Sequence, residues 1–295
     1  MFRGTYTALV TPFRDGKIDE AAFEQLIEFQ IQNEVEGIVP VGTTGESPTL
    51  DHAEHNRVIE LAVKIANGRC KVIGGTGSNS TDEAVSLTRE AEKAGVDAAL
   101  LVAPYYNKPS QEGLFRHFKK IADATKLPLV LYSIPGRCGI EIGVETVSRL
   151  AAACSNVVAI KEAGGNVERV SQLRAALPAE FDILSGDDSL TLPFMSVGAV
   201  GVISVASNII PREVGDMVRA FLAGKMDIAR AAHFRWLPLF KDLFVEANPV
   251  PIKAALAWSG RAGAINSDVR LPLCEMAESS VKKLRATLQH LKLIS

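Results

Sequence analysis

The sequence predicts an α/β protein in which eight parallel strands close into a (β/α)8 barrel, the TIM-barrel fold, followed by a C-terminal helical region. Eight short, nearly continuous apolar runs alternate with stretches of helical periodicity, as expected for strands covered on both faces. The predicted strands are residues 6–10, 38–41, 71–75, 97–103, 129–134, 157–160, 181–184 and 202–205. Each strand and its helix occupy roughly 20 to 35 residues, the size of a repeated β-α unit.

A doubly wound sheet is the alternative to the barrel. The closed barrel is favoured because polar motifs follow several different strands, and active sites of such barrels lie at the C-terminal ends of the strands. The motifs are G-T-T-G-E-S after the second strand, P-Y-Y after the fourth, Y-S-I-P-G-R at the fifth, a lysine at the sixth and S-G-D-D after the seventh.

The helical stretches carry amphipathic patterns and start signals. Residues 22–31 place apolar side chains on one face, and Ser80 and Thr81 are candidate N-caps of the helix that follows them. After about residue 225 the pattern is helical to the end, and no Pro-, Gly- or Ser-rich linker precedes it. We therefore expect a barrel domain at residues 1–224 and a helical region at 225–295 that packs on it.

Composition excludes several classes of function. The chain has 295 residues, a formal net charge of −2 and no basic stripe, which argues against nucleic-acid binding. Its four cysteines show no C-x-x-C pair, which predicts reduced thiols, and no secretory signal is visible. The uncharged run at 190–211 is long enough to cross a bilayer, but its glycines and Pro193 predict a short buried helix and a strand instead. We expect a cytoplasmic protein without membrane spans.

Lys161 is the strongest catalytic candidate. It directly follows the apolar run V-V-A-I, and burial of an amine disfavours its charged form. A neutral lysine can attack a carbonyl to form a Schiff base, whose nitrogen then acts as an electron sink. The alternative is a structural lysine that extends from the strand end to solvent.

Neighbouring motifs supply groups that suit this chemistry. Tyr132 ends the fifth strand and can move protons to and from the imine. Thr43 and Thr44 lie in a glycine-flanked turn whose N–H groups and hydroxyls suit a small carboxylate. Arg137 follows Pro-Gly and can clamp a second carboxylate with its planar fork. Taken singly, each has a structural alternative: a core tyrosine, an ordinary turn or a surface ion pair.

Nine motifs in order give the chain a recognisable pattern. They are A-L-V-T-P-F, G-T-T-G-E-S, G-T-G-S-N-S-T, P-Y-Y-N-K-P-S-Q-E-G, Y-S-I-P-G-R-C-G, A-I-K-E-A, L-S-G-D-D, G-V-I-S-V and L-F-V-E-A-N-P-V-P-I-K. With these motifs the chain resembles, end to end, the dihydrodipicolinate synthase family of pyruvate-dependent, lysine-Schiff-base aldolases. That family uses no cofactor or metal and is typically a homotetramer of tight dimers.

The resemblance implies a reaction and a set of residues. The reaction is a lyase-type condensation of pyruvate with L-aspartate 4-semialdehyde to 4-hydroxy-tetrahydrodipicolinate, in the diaminopimelate and lysine pathway. Lys161 is implied as the Schiff-base residue. The implied proton relay is Tyr132, Thr44 and, from a neighbouring subunit, Tyr106. Thr43 and Thr44 are implied to bind pyruvate, and Arg137 is implied to bind the second substrate. Gly186 and the Ile203 carbonyl are implied to shape the rest of the pyruvate site.

Arg137 also discriminates within the superfamily. N-acetylneuraminate lyases and keto-deoxy sugar-acid aldolases use the same imine chemistry and are the alternative, but they usually lack an arginine here. Two positions depart from the family pattern: Ser133 stands where an asparagine is usual, and Gly164 where a hydroxyl residue is usual.

Lysine-inhibited members of the family bind L-lysine at the dimer interface, which implies a feedback inhibitor for this chain. The matching positions are Ser47, His52, His55, Asn79, Glu83 and Tyr105, with Pro48 replacing the usual small residue. A plain helix-cap and surface cluster is the alternative.

Three other classes of protein fit less well. Asp187 and Asp188 suit a hard cation, but helix capping explains them too, and no H-E-x-x-H spacing occurs. The G-G-T-G-S-N-S run lacks the third glycine of a dinucleotide fingerprint. A non-catalytic binding protein is disfavoured by the combination of Lys161, Tyr132 and Thr44.

Overall fold

The computed structural model describes residues 2–295 and confirms the barrel. Eight parallel strands pair in the order β1-β10-β9-β8-β7-β6-β5-β4, and β4 pairs with β1 to close the ring. The barrel strands are β1 (Gly4–Ala8), β4 (Gly37–Val39), β5 (Lys71–Gly75), β6 (Ala98–Val102), β7 (Leu129–Ser133), β8 (Val157–Glu162), β9 (Asp182–Ser185) and β10 (Gly201–Ser204). The bounds of each strand lie within two residues of the predicted ones. An antiparallel pair, β2 (Phe13–Arg14) and β3 (Lys17–Ile18), is additional.

Helices surround the barrel and make up most of the C-terminal region, although residues 260–277, which the sequence pattern predicts to be helical, contain no helix. They are α1 (Glu20–Gln32), α2 (His52–Ala66), α3 (Thr81–Ala94), α4 (Gln111–Ala122), α5 (Pro135–Cys138), α6 (Val144–Ala153), α7 (Val167–Ala176), α8 (Thr191–Met195), α9 (Pro211–Leu222), α10 (Met226–Asp242), α11 (Val250–Ser259) and α12 (Glu278–His290). The apolar face predicted for residues 22–31 is buried in α1. Of the two candidate N-caps of α3, Ser80 is the cap and accepts from the Glu83 N–H, whereas Thr81 is the first residue of the helix.

The uncharged run at 190–211 contains the short helix α8 and the strand β10, as predicted. Among residues 2–295, no helix is long and apolar enough to span a membrane.

Two apolar layers hold the barrel together. One lies between strands and helices and includes Phe23, Ile160 and Phe194. The other fills the barrel interior and contains Tyr6, Tyr132 and residues of the remaining strands. Because side chains alternate along a strand, Val130 and Tyr132 point inward together, and so do Ala159 and Lys161.

The C-terminal helices pack on the barrel, with α10 against α9 and α12. The boundary that we place between residues 224 and 225 lies in the turn between α9 and α10, and the division into two units stays a prediction. Two side chains of this region, Asn248 and Lys253, reach the turn after β4. The region is therefore part of the surroundings of the candidate site.

Candidate active site

Strand register places Lys161 beside Tyr132. The two residues are paired Cα partners between β7 and β8, near the C-terminal ends of both strands. The Nζ of Lys161 lies 4.2 Å from the centre of the Tyr132 ring. Both side chains are buried, with 5% and 4% of their surface exposed. A lysine amine and a phenol thus meet at the end of the barrel where the fold class places catalysis.

Burial sets the protonation state of Lys161. Loss of hydration lowers its pKa to about 7, with Arg137 acting in the same direction and the Asp188 carboxylate opposing both. An ordinary lysine, with a pKa near 10.5, is almost wholly protonated at neutral pH. Lys161 therefore has a substantial neutral fraction there, which is the nucleophilic form.

Asp188 is a buried carboxylate held by main-chain donors. Its Oδ2 accepts from the N–H groups of Val205 and Ala206 at 3.0 and 2.9 Å. Burial raises its pKa to about 6 in spite of these donors. The neighbouring Asp187 caps the short turn at 188–190 by accepting from the Ser189 and Leu190 N–H groups. Among the described residues, no group of acidic, histidine or cysteine side chains forms a metal-binding cluster.

The hydroxyl that pairs with Tyr132 belongs to Thr43. Burial raises the pKa of Tyr132 to about 12, and a side-chain hydrogen bond with Thr43 opposes that shift. The relay implied by the resemblance has Thr44 in this place. The difference follows from the short 3-10 turn at Thr43–Gly45, in which successive side chains point in different directions. Thr43 is half-buried at the cavity described below, whereas Thr44 is buried and accepts a hydrogen bond from Asn248.

The turn after β4 is anchored at three successive residues. The Thr11 hydroxyl donates to the Gly45 carbonyl at 2.7 Å, and Asn248 Nδ2 donates to Thr44 Oγ1 at 3.0 Å. Lys253 Nζ donates to Glu46 Oε1 at 2.5 Å, and both of these side chains are almost fully buried. Glu46 itself has a left-handed backbone, with φ at 55°. The roles of Asn248 and Lys253 were missed in the sequence, although both lie in its last motif.

Gly186 and Ile203 lie against the same part of the barrel. A Cβ at Gly186 would approach Ala163 Cβ to 2.6 Å and Lys161 Cε to 3.1 Å, so a larger residue would crowd the lysine stem. Ile203, on β10, belongs to the interior layer that also contains Tyr132. Gly186 therefore borders the Lys161 stem, while the role implied for the Ile203 carbonyl stays a prediction.

Arg137 is exposed at the mouth of this space. It lies in α5, the single turn that follows the strand bearing Tyr132. Its Nη2 donates to the main-chain carbonyl of Asn248 at 3.2 Å. Since this contact uses one of five N–H groups, the rest of the guanidinium can bind an anion.

Tyr106 does not reach the site of its own chain. Its side chain is 89% exposed, and its backbone is in the left-handed region, with φ at 73°. An aromatic side chain that is exposed and has this uncommon backbone conformation is not explained by its own chain, and a contact with another molecule would account for it.

A cavity of about 370 Å³ is lined by some of the candidate catalytic and substrate-binding residues and by residues implied in lysine binding. Thr43, Tyr132 and Arg137 line one part, and Ser47, His52, His55, Glu83 and Tyr105 line another. Asn79, Lys161 and Thr44 are not lining residues. Asn79 adjoins the cavity through its Nδ2, which donates to the Tyr105 carbonyl at 3.2 Å.

Glu83 is the charged centre of the second part of this cavity. It accepts hydrogen bonds from the Ser78 hydroxyl and from His52, whose Nε2 lies 2.8 Å from Glu83 Oε1. These two contacts lower the pKa of Glu83 and keep it ionised. Burial lowers the pKa of His55, whose Nε2 lies 2.9 Å from the Gly75 carbonyl. The site thus presents a carboxylate and a neutral imidazole.

The two departures from the family pattern are accommodated locally. The Ser133 hydroxyl is buried and accepts from the Ile142 N–H at 3.4 Å. Gly164 donates its N–H to Glu162 Oε1 at 2.7 Å, and a Cβ at this position would lie 2.7 Å from the same oxygen. The glycine therefore permits a close contact with the buried carboxylate next to Lys161.

Comparisons with known proteins show the family of the chain. Residues 1–291 match the model of the dihydrodipicolinate synthetase family. A protein of Citrifermentans bemidjiense named 4-hydroxy-tetrahydrodipicolinate synthase is 51% identical over 294 residues, covering all of both chains.

Solved structures show the same similarity. The 4-hydroxy-tetrahydrodipicolinate synthase of the thermoacidophilic methanotroph Methylacidiphilum fumariolicum SolV has a TM-score of 0.97 and 57% identity, covering 99% of this chain and 96% of that one. The enzyme of Cyanidioschyzon merolae, solved with lysine bound, has a TM-score of 0.95 and 43% identity, with 99% of each chain covered.

Proposed function

Because the chain belongs to the dihydrodipicolinate synthetase family, we propose that it condenses pyruvate with L-aspartate 4-semialdehyde to form 4-hydroxy-tetrahydrodipicolinate. It is a lyase, and the product supplies lysine and diaminopimelate biosynthesis. The observation that carries the mechanism is the buried Lys161 amine, with its pKa lowered to about 7, in contact with the Tyr132 ring.

The reaction starts with the neutral Lys161 amine. It attacks the keto carbon of pyruvate, and loss of water from the adduct gives an imine. Protonation of the departing hydroxyl comes from the Tyr132 phenol, which stays protonated at neutral pH because its pKa is about 12. The imine draws electrons from the pyruvate methyl group, and loss of a methyl proton gives an enamine.

The enamine carbon then attacks the aldehyde of the second substrate. The aldehyde oxygen takes up a proton, and the free amino group of that substrate displaces Lys161 to close the ring. One water is lost overall, in the formation of the lysine imine. Thr43, which pairs with Tyr132, takes the place in the proton relay that the resemblance implied for Thr44.

The two carboxylates are bound at separate places. Pyruvate lies against the turn of Thr43 and Thr44, where a short helical turn presents N–H groups and hydroxyls. The carboxylate of aspartate 4-semialdehyde binds the exposed Arg137, which has free N–H groups. Arg137 and the names of the relatives favour this acceptor over those of N-acetylneuraminate lyases and sugar-acid aldolases.

Tyr106 acts on the site of a second copy of the chain. Its exposed ring and left-handed backbone support this role, which requires at least a dimer, and a homotetramer built from such dimers is the assembly we propose.

L-lysine inhibits by binding at Glu83, His52 and Tyr105. The charged centre at Glu83 and the lysine-bound relative from Cyanidioschyzon merolae support this inhibitor site.

We place the enzyme in the cytoplasm, which suits its four free cysteines.

The direct test is pyruvate-dependent consumption of aspartate 4-semialdehyde, coupled to the reductase that follows, in wild type and Lys161→Ala. Activity in the wild type that is lost in the variant supports the reaction and the nucleophile together. A wild type that forms the pyruvate imine without consuming this aldehyde would instead indicate a sugar-acid aldolase.

A further inference from the structure

Asn248 joins the contacts proposed for both substrates. It lies just before α11, far along the chain from the turn after β4, and is 5% exposed. Its side chain donates to Thr44 Oγ1 at 3.0 Å, while its main-chain carbonyl accepts from Arg137 Nη2 at 3.2 Å. The Asn248 side chain thus contacts Thr44, which is proposed to bind pyruvate, and its backbone contacts Arg137, which is proposed to bind the second substrate.

The direction of the Asn248–Thr44 hydrogen bond decides what Thr44 can do. A hydroxyl has one proton to donate and two lone pairs that accept. An amide N–H of Asn248 that points at Thr44 Oγ1 occupies a lone pair, so the Thr44 proton must point elsewhere. A carboxylate accepts hydrogen bonds and donates none, and therefore needs that proton.

We propose that Asn248 is a positioning residue that fixes the Thr44 hydroxyl as a donor toward the pyruvate carboxylate. The proposal rests on the proposed function, because it assigns the carboxylate to this turn. The opposite amide orientation would put Oδ1 against Thr44 Oγ1, take the hydroxyl proton and leave the carboxylate without this donor. Among residues 2–295, Asn248 Oδ1 has no hydrogen-bond partner, and the contact of Nδ2 with Thr44 Oγ1 is the one hydrogen bond that the side chain makes.

The surroundings leave Thr44 few other partners. It is 3% exposed, and its neighbours Gly45 and Glu46 are fixed by Thr11 and Lys253. Because the two residues that follow Thr44 are anchored independently of Asn248, removing the Asn248 amide frees the rotation of one hydroxyl rather than the turn. The Arg137 contact uses a backbone carbonyl, so it remains when the side chain is shortened.

These contacts predict a selective effect of Asn248→Ala. KM for pyruvate rises about tenfold, the loss expected for one ordinary hydrogen bond, while kcat and KM for aspartate 4-semialdehyde stay within about twofold. Asn248→Asp has nearly the same shape but replaces the donor with an acceptor. It raises KM for pyruvate more than Asn248→Ala does, because Thr44 must then donate to the new carboxylate, which also repels the substrate.

A double-mutant cycle separates positioning from general support. In a Thr44→Val background, which has no hydroxyl to orient, Asn248→Ala changes KM for pyruvate by less than about twofold; independent sites would give additive effects. Asn33→Ala, which removes an amide bonded to the Phe29 carbonyl in the first helix, is the matched control and leaves both KM values unchanged.

The outcomes are distinct. A selective rise in KM for pyruvate that disappears in the Thr44→Val background supports the proposal. Additive effects, an unchanged KM for pyruvate, or equal losses for both substrates would overturn it. If Asn248→Ala fails to fold, the comparison of Asn248→Asp with wild type decides in the same way. A wild type that forms no reducible adduct with pyruvate would contradict the proposed function instead.

Discussion

Lys253 and Glu46 form a buried ion pair between the C-terminal region and the turn after β4, with 2.5 Å between Nζ and Oε1. The pair is embedded in further contacts: Lys253 also donates to the Asp268 carbonyl, and Glu46 Oε2 accepts from the Arg270 N–H at 3.0 Å. Glu46 lies two residues after Thr44. The pair therefore fixes the end of the turn that carries both threonines.

Breaking this pair from one side is expected to be costly. Lys253→Met leaves the Glu46 carboxylate buried without its cation, and we expect the free energy of unfolding to fall by about 3–5 kcal/mol. The double variant Lys253→Met with Glu46→Gln removes both charges and recovers part of that loss. Chemical denaturation of the three proteins measures the effect, and a single variant as stable as the double one would contradict it.

Contacts of this kind explain what the sequence could and could not predict. The strands were found because a buried parallel strand needs an unbroken apolar run, and Lys161 was recognisable as the charge that ends one. Asn248 and Lys253 contact residues more than 200 positions earlier in the chain, and local patterns contain no information on such pairs. A lysine in the apolar run of α11 was the one signal that a buried partner existed.

The threonine pair shows a second limit. A sequence pattern cannot distinguish two adjacent threonines in a tight turn, whereas the 3-10 geometry points their side chains in different directions. Thr43 meets the Tyr132 hydroxyl and Thr44 meets the Asn248 amide. The two-residue strands β2 and β3 escaped prediction because their pairing involves only four residues.

Arg137→Ala tests the contact with the second substrate. We expect KM for aspartate 4-semialdehyde to rise roughly tenfold to a hundredfold, since a charge-assisted, bidentate contact is lost. Arg137→Lys restores only part, because an ammonium lacks the planar fork. Steady-state kinetics with both substrates varied measures this. Arg116→Ala, an exposed arginine on α4, is the control, and an unchanged KM in Arg137→Ala would exclude the assignment.

Glu83→Gln tests lysine inhibition. The ionised Glu83 carboxylate attracts the ammonium groups of lysine, so its neutral replacement should raise the inhibition constant at least about tenfold. Initial rates with increasing lysine, expressed relative to each variant's own rate without it, give the constant. Glu90→Gln, an exposed carboxylate on the same helix, should keep wild-type inhibition. Equal inhibition of Glu83→Gln and wild type would place the inhibitor elsewhere.

Tyr106 in a shared site predicts complementation between two inactive chains. Lys161→Ala has no nucleophile, and Tyr106→Phe lacks the phenol supplied to its partner. In a mixed dimer, the site that keeps Lys161 receives an intact Tyr106 from the other chain and is active. One of the two sites of each mixed dimer is therefore active, so co-expression of the two variants should give mixed dimers with up to about half of the activity of a wild-type dimer. Mixtures no more active than the separate variants would show that Tyr106 acts within its own chain, or not at all.

The most direct test of the account is reductive trapping of pyruvate on Lys161 across pH. With pyruvate and cyanoborohydride, the wild type should gain the mass of one reduced pyruvate per chain, located at Lys161 by peptide mapping. Lys161→Ala should gain none, and Lys64→Ala, which lacks an exposed lysine, should react like the wild type.

The pH dependence of that trapping reports the lowered pKa. Because the neutral amine is the nucleophile, the rate should rise as pH increases through about 7 and level off above it, since the pKa of Lys161 is lowered to about 7. An adduct on another lysine, or a rate that keeps rising toward the pKa of an ordinary lysine, would contradict the claim that burial in the barrel makes Lys161 the nucleophile.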